Sequence, residues 1–225
     1  MKTIGIIGAM PSEIADIRRV LNGAKVENYS GFDFYINEIN EKRVINVCCG
    51  IAKVNAAICT QVMIDRFNTD AIINTGIAGG MNPNIDVCDI VISDEVLPHD
   101  LELRFLENYP PFCSVFKADE GLIKLAEKIC EGSDIDCFVG RIVSGDAFIS
   151  SNELKKQIIG RLNPYAVDME SSAIGHCAYM NKVPFVSVRC ISDNADDDGA
   201  MSFDEFEKIA AKRVAEIVLE MVKNI

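Results

Sequence analysis

Four acidic residues, Glu13, Asp146, Glu170 and Asp193, each stand just past an apolar segment that reads as a β-strand. In open parallel sheets, ligands sit beyond the carboxyl ends of the strands. Side chains at these points can therefore meet in one cleft although they come from distant parts of the chain. Crowded carboxylates repel, so one pKa is driven up and that group holds a proton near neutrality while another stays ionised. Such a set supplies a general acid and a general base. Any one of the four alone reads equally well as a helix cap or a loop charge. Their recurrence beside glycine turns and helix starts is what favours a shared cleft. Neither His99 nor His176 lies near a serine or cysteine elbow motif, so no nucleophilic triad is offered.

The elements that must carry these acids can be read in order. The run Val183–Asp193 has apolar residues on both faces, which is the condition of a strand covered on both sides in an α/β protein. It ends at Asp193 and turns into the acidic stretch to Gly199. At the other end of the chain, Thr3–Gly8 is a short apolar strand and Ala9-Met10 a turn. Pro11 suits the first position of a helix reaching about Leu21. Glu13 then falls in the first helical turn, where the dipole favours a carboxylate by roughly 0.3–1 kcal/mol when exposed.

Phe32–Ile39 and Lys42–Cys49 alternate as two strands joined at Asn40-Glu41, and Gly50 opens a helix to about Phe67. Ala71–Thr75 is a buried strand running into Gly76-Ile-Ala-Gly-Gly80, a glycine turn that admits close approach of a ligand. It matches neither Gly-x-Gly-x-x-Gly nor a Gly-Lys-Ser/Thr loop. Asp89–Ser93 is the next strand, followed by an irregular segment, Asp94–Val115, with exposed-looking Phe105, Tyr109 and Phe112. Asp119 caps a helix to about Cys130. Cys137–Ser144 is a strand ending in Gly145–Ile149, Asn152–Gly160 a short helix, Tyr165–Asp168 a brief strand and Ser171–Met180 a buried helix. Ser202-Phe-Asp-Glu205 is a capping box opening a long last helix. Strands alternating with helices, without repeats or linkers, predict one three-layer αβα domain over residues 1–225, built on a mixed, largely parallel twisted sheet.

At 225 residues and a net charge of −12, the chain lacks the clustered lysine and arginine that a nucleic-acid partner requires. No apolar run approaches a membrane span, and Met1–Met10 reads as a first strand and not a signal peptide. Nine scattered cysteines with no Cys-x-x-Cys read as small core residues in a reducing cytoplasm, and the presence of only two histidines argues against a zinc site. Asn194, Asp196, Asp198, Gly199 and Glu205 have the spacing of a calcium loop, but such a loop is entered from a helix and this one leaves a strand.

Six motifs, in one order along the chain, carry a resemblance. They are Gly5-Ile-Ile-Gly-Ala-Met-x-x-Glu13; Gly50-Ile-Ala-Lys-Val-Asn-Ala-Ala57; Asn74-Thr-Gly-Ile-Ala-Gly-Gly80; Val143-Ser-Gly-Asp-Ala-Phe-Ile149; Asp168-Met-Glu-Ser-Ser-Ala-Ile174; and Arg189-Cys-Ile-Ser-Asp-Asn-Ala-Asp196 through Ser202-Phe-Asp-Glu-Phe206. The chain resembles the 5′-methylthioadenosine/S-adenosylhomocysteine nucleosidases of the purine nucleoside phosphorylase superfamily. The resemblance implies a nucleoside phosphorylase-like fold and cleavage of a base from a 5′-substituted adenosine by water, without cofactor or metal. It implies that Asp193 protonates adenine N7, Glu13 activates the water and Glu170 holds the ribose hydroxyls. Phe148 would stack on the purine, with the Ile149 backbone reading its edge. Met10, Ile51, Met169 and Phe203 would line the sugar and 5′ group, and Ala78 and Gly79 the sugar and water. Arg189 and Ser192 would support the water and Asp193, and Ala9, Val167, Asp168 and Ala195 complete the substrate contacts.

Three departures from the family pattern stand out. Ile77 occupies a position that is often serine, Asp168 replaces a usual glutamate, and Leu97–Val115 differs from the segment that in the family helps form a homodimer. Two other readings stay open. A phosphorolytic relative needs arginines near the first and third strand ends, where this chain has Glu13 and places Arg18 and Arg19 farther down the helix. A non-catalytic nucleoside- or calcium-binding module is the other.

Overall fold

The computed structural model describes residues 1–132, 135–197 and 199–225, with side chains left out at 200–202, 204 and 205. The spacing of apolar segments yields, in order, β1 (Thr3–Gly8), α1 (Pro11–Val20), β2 (Lys25–Tyr29), β3 (Phe32–Ile39), β4 (Lys42–Cys48), α2 (Lys53–Phe67) and β5 (Ala71–Gly80). The second half contributes β6 (Ile90–Pro98), α3 (Arg104–Asn108), β7 (Phe116–Lys117), α4 (Glu120–Glu131), β8 (Cys137–Ser144), α5 (Asn152–Leu162), β9 (Ala166–Asp168), α6 (Ser171–Asn181), β10 (Phe185–Asp193) and α7 (Gly199–Asn224).

The strands join in one mixed sheet ordered β10-β6-β8-β9-β5-β1-β4-β3-β2, with β7 on β6 and a further pairing of β10 with β5. The parallel pairs β4–β1–β5–β10 run through its centre. Helices α2 and α6 pack together over one face, while α7 covers β10 and β5 and is backed by α1 and α4. Every residue of β5 and of β10 is buried, as expected of strands sandwiched between helical layers.

The register of these two strands positions the site. Arg189 pairs opposite Gly76, and Asp193 opposite Gly79, with a break in register between Ile191 and Asp193. Such irregularities re-aim side chains at a strand end. Short β9 crosses the glycine end of β5, setting Val167 against Gly79.

Four points depart from the sequence reading. The segment after residue 93 is not irregular from the start: β6 continues to Pro98, because Val96–Pro98 find partners in Ile142–Ser144 of β8, and α3 interrupts the remainder. The edge strand β2 was not legible, since Lys25–Tyr29 is polar and its pairing with β3 is set by the turn at Ser30-Gly31. The last helix begins at Gly199, and the expected capping box at Ser202 and Glu205 lies outside the described side chains. The cysteines also depart from a wholly reduced set, as Cys130 and Cys137 form a disulfide between α4 and β8 with Cα atoms 6.2 Å apart.

Asp119 does cap α4, accepting from the N–H groups of Gly121 and Leu122 at 3.0 Å each. Asp119→Ala strands both donors and is expected to cost about 1 kcal/mol. In a chain of this size, that lowers the midpoint of thermal unfolding by about 2–4 °C, which calorimetry measures directly.

Candidate active site

Glu13 is the third residue of α1, and its side chain folds back over the helix start. Oε2 accepts from the N–H groups of Ala9 and Met10 at 2.6 and 2.8 Å. Oε1 accepts from the N–H of Ile77 on β5 at 2.9 Å. The first pair satisfies donors that a helix start leaves open; the third ties the helix to the sheet. The bond comes from the main chain of residue 77, so it does not depend on the isoleucine side chain. Burial raises the Glu13 pKa, with Arg189 and the three N–H donors pulling it back.

Arg189 lies fully buried beneath these groups. Its Nη2 pairs with Asp168 Oδ2 at 2.8 Å and approaches Glu170 Oε2 at 3.6 Å, while Nη1 lies 3.6 Å from Glu13 Oε1. Burial alone would pull the guanidinium down; Asp168, Glu13 and Glu170 outweigh it and hold it above its ordinary value. One cation thus serves three carboxylates. Ionised together, they leave a net negative charge at the floor of the site.

Asp168 is locked from several sides. Ser144 Oγ donates to Oδ1 at 2.5 Å, Ser171 Oγ donates to Oδ2, and the N–H groups of Glu170 and Ser171 reach Oδ1 at 3.3 and 3.2 Å. The shorter acid in place of glutamate therefore sits on two serine hydroxyls and the start of α6. Asn74 extends the same network, donating to Ser171 Oγ and Ser187 Oγ at 2.8 and 3.0 Å and accepting from Arg189 Nη2 at 3.2 Å. Gly76 makes the arrangement possible: a Cβ there would fall 2.2 Å from both Arg189 Nη1 and Glu13 Oε1.

Glu170 accepts from the N–H of Ala52 at 2.9 Å. Burial pushes its pKa up to about 7, Arg189 opposes this and Asp168 adds to it. Asp193, at the far side, accepts from Ser192 Oγ and the N–H of Ala195 at 2.8 Å each. Burial again raises its pKa, with those two bonds working against it.

These groups face one cavity of about 320 Å³. Ala9, Met10 and Glu13 line it from the β1–α1 turn, and Ile77, Ala78 and Gly79 from β5. Val167, Asp168, Met169 and Glu170 come from β9 and its exit, and Ser192 and Asp193 from β10. Ile51, Phe148 and Phe203 form the rim, the last two rings edge to face at 5.7 Å and 84°. Ile149 and Ala195 line a recess of about 30 Å³ beside Phe148 and Asp193. Arg189 supports the floor from below.

Asp146 does not join the other three acids. It lies exposed outside the cavity, where its Oδ1 accepts from the Lys53 N–H at 2.9 Å and its own N–H donates to Asp100 Oδ2 at 2.9 Å. Lys53 Nζ pairs with Asp100 there. Sequence reasoning missed Ser144, Ser171 and Asn74. The available signal was the presence of Asn74 and Arg189 inside strongly apolar strands, since buried polar groups require partners.

The sign of the pH dependence follows from Glu170. Its folded pKa, about 7, lies above the ordinary 4.5, so the folded protein holds the proton more tightly than the unfolded chain. The stability this contributes is complete below the unfolded pKa and is lost as pH rises through the folded value. Urea unfolding at pH 5 and pH 7 is therefore expected to show a smaller loss of stability in Glu170→Gln than in the parent.

Comparison with known proteins places the chain in a family. The profile of the Phosphorylase superfamily matches residues 3–223. A 5′-methylthioadenosine/S-adenosylhomocysteine nucleosidase of Actinobacillus succinogenes is 40% identical over 227 residues, covering 99% of both chains. The crystal structure of the Neisseria meningitidis nucleosidase of that name, in complex with methylthio-immucillin-A, is 36% identical and superposes over 100% of both chains with a TM-score of 0.95. A futalosine hydrolase mutant of Helicobacter pylori, 27% identical, covers 100% of both chains with a TM-score of 0.94. The chain belongs to the 5′-methylthioadenosine/S-adenosylhomocysteine nucleosidase family of the phosphorylase superfamily.

Proposed function

We propose that residues 1–225 act as one catalytic domain that hydrolyses the N-glycosidic bond of 5′-substituted adenosines, releasing adenine. The observation that carries this reading is the meeting of Glu13, Glu170 and Asp193 around one cavity. Asp193, kept above its usual pKa by burial, gives its proton to N7 of the purine. The electron pair of the C1′–N9 bond then leaves with a better leaving group. Positive charge develops on the sugar, and the negative floor built by Glu13, Asp168 and Glu170 around Arg189 stabilises it. Glu13 takes a proton from the water whose oxygen bonds to C1′, and Glu170 accepts hydrogen bonds from the ribose hydroxyls. At the rim, Phe148 stacks on the purine, and Phe203, edge to face with it, lines the sugar and 5′ substituent.

Hydrolysis is favoured over phosphorolysis by where the arginines lie. Arg18 stacks over the Tyr35 ring at 3.8 Å and donates to Asn46, and Arg19 pairs with Asp16. Among the described residues that line the cavity, none is a lysine or arginine. Mass spectrometry of the products with and without phosphate tests this: free sugar formed without phosphate supports hydrolysis, and ribose 1-phosphate formed only with phosphate overturns it. Asp193→Asn is expected to lower adenine release at least about a hundredfold. Turnover at the parent rate would remove Asp193 from its role.

The same reading includes a homodimer. Exposed Phe105, Tyr109 and Phe112 lie in the 97–115 segment, near a groove lined by Leu101, Leu106, Phe116 and Met180. An apolar surface of this kind is suited to a second copy. Sedimentation equilibrium is expected to give a dimer that Phe105→Asp weakens; a monomer at micromolar concentration would count against it.

A further inference from the structure

The peptide group that joins Asn194 to Ala195 is engaged at both ends. Its N–H, on Ala195, donates to Asp193 Oδ1 at 2.8 Å. Its C=O, on Asn194, accepts a hydrogen bond from Lys155 Nζ on α5. Ala195 has φ +50°, the left-handed region that a residue with a Cβ seldom adopts. Such a conformation persists where the surroundings over-determine it. The next turn of the loop is tied to the same helix, as Asn152 donates its N–H and Nδ2 to Asp197 Oδ1 and Oδ2 at 3.1 and 2.6 Å. The start of α5 therefore holds the loop that follows the acid at two points, Asn194 and Asp197.

We propose that Lys155 is a positioning residue for the hydrolysis, acting on Asp193 through the 194–195 peptide. The inference rests on the reading of Asp193 as the acid. An ammonium on the carbonyl polarises the amide and strengthens its N–H as a donor, because hydrogen bonds in series reinforce one another. Asp193 Oδ1 is fixed as an acceptor. Oδ2 also accepts, from Ser192 Oγ at 2.8 Å, but a hydroxyl can rotate where a main-chain N–H cannot, so Oδ2 is the oxygen free to carry the proton. Lys155 itself is partly buried, so solvent screens it less than a surface lysine.

The charges around the acid agree. Among the described residues, Asp196 of the same loop raises the Asp193 pKa and Lys155 of α5 lowers it. Gly79 of β5, Val167 of β9 and Gly199 at the start of α7, which adjoin it on other sides, carry no charge. Burial lowers the Lys155 pKa, while Asp196 and Asp193 counteract it.

The test measures adenine release against pH for the parent, Lys155→Met, Lys155→Arg and Asp193→Asn, with thermal unfolding of each. Lys155→Met is expected to lose about tenfold in kcat with KM little changed. Without the cation and with a weaker N–H donor, the carboxylate is disfavoured, so the alkaline limb of kcat/KM moves up by about half a pH unit or more. Lys155→Arg is expected to restore both. The proposal is overturned if the alkaline limb of Lys155→Met coincides with the parent's, or if its kcat falls only alongside thermal stability. It also fails if Lys155→Arg is as impaired as Lys155→Met. Parent-like turnover by Asp193→Asn would instead remove the acid itself, and the proposal with it. A rate lost in Asp193→Asn but a limb unmoved in Lys155→Met removes the proposal alone.

Discussion

A single buried guanidinium holds the site together. An isolated charge at the depth of Arg189 is prohibitive, and so is each of the carboxylates around it. They coexist because Asp168 pairs with it closely while Glu13 and Glu170 stand 3.6 Å away on either side. The unequal distances matter. Asp168, saturated by serine hydroxyls and main-chain donors, takes the structural share of the cation. Glu13 and Glu170 keep a weaker hold on it and face the cavity. The surplus of negative charge then lies where a cationic sugar would form.

The fold supplies the means of burying such a group. Arg189 enters from a strand covered on both faces, next to a glycine whose missing side chain makes room for it. Glu13 arrives from the first turn of α1 and Glu170 from the start of α6, so two helix N-termini and one strand interior converge. Both helix starts orient main-chain donors towards carboxylates, the arrangement that the helix dipole favours.

Much of this was legible in the sequence, and the losses have physical causes. Strand ends and glycine turns pointed to Glu13, Glu170 and Asp193 because the topology of α/β sheets places ligands there. The same rule included Asp146, which shares the local pattern but turns outward to Lys53 and Asp100. Local pattern fixes a residue's place on an element, whereas the direction of a loop side chain depends on partners brought in from elsewhere. Strand β2 escaped notice for a related reason: an exposed edge strand needs no apolar alternation. Ser171 follows Asp168 by three residues, but Ser144 comes from a distant strand, and the register of β8 with β9 brings it to Asp168.

Gly76 has a bearing on redesign. The space that its side chain would occupy is already filled by two opposite charges. Even a methyl group added there would separate them, so this position leaves the floor no freedom to drift. A change of substrate range that spares the charges can instead run through the rim, at Ile51, Phe148 and Phe203, where half-open apolar side chains line the cavity.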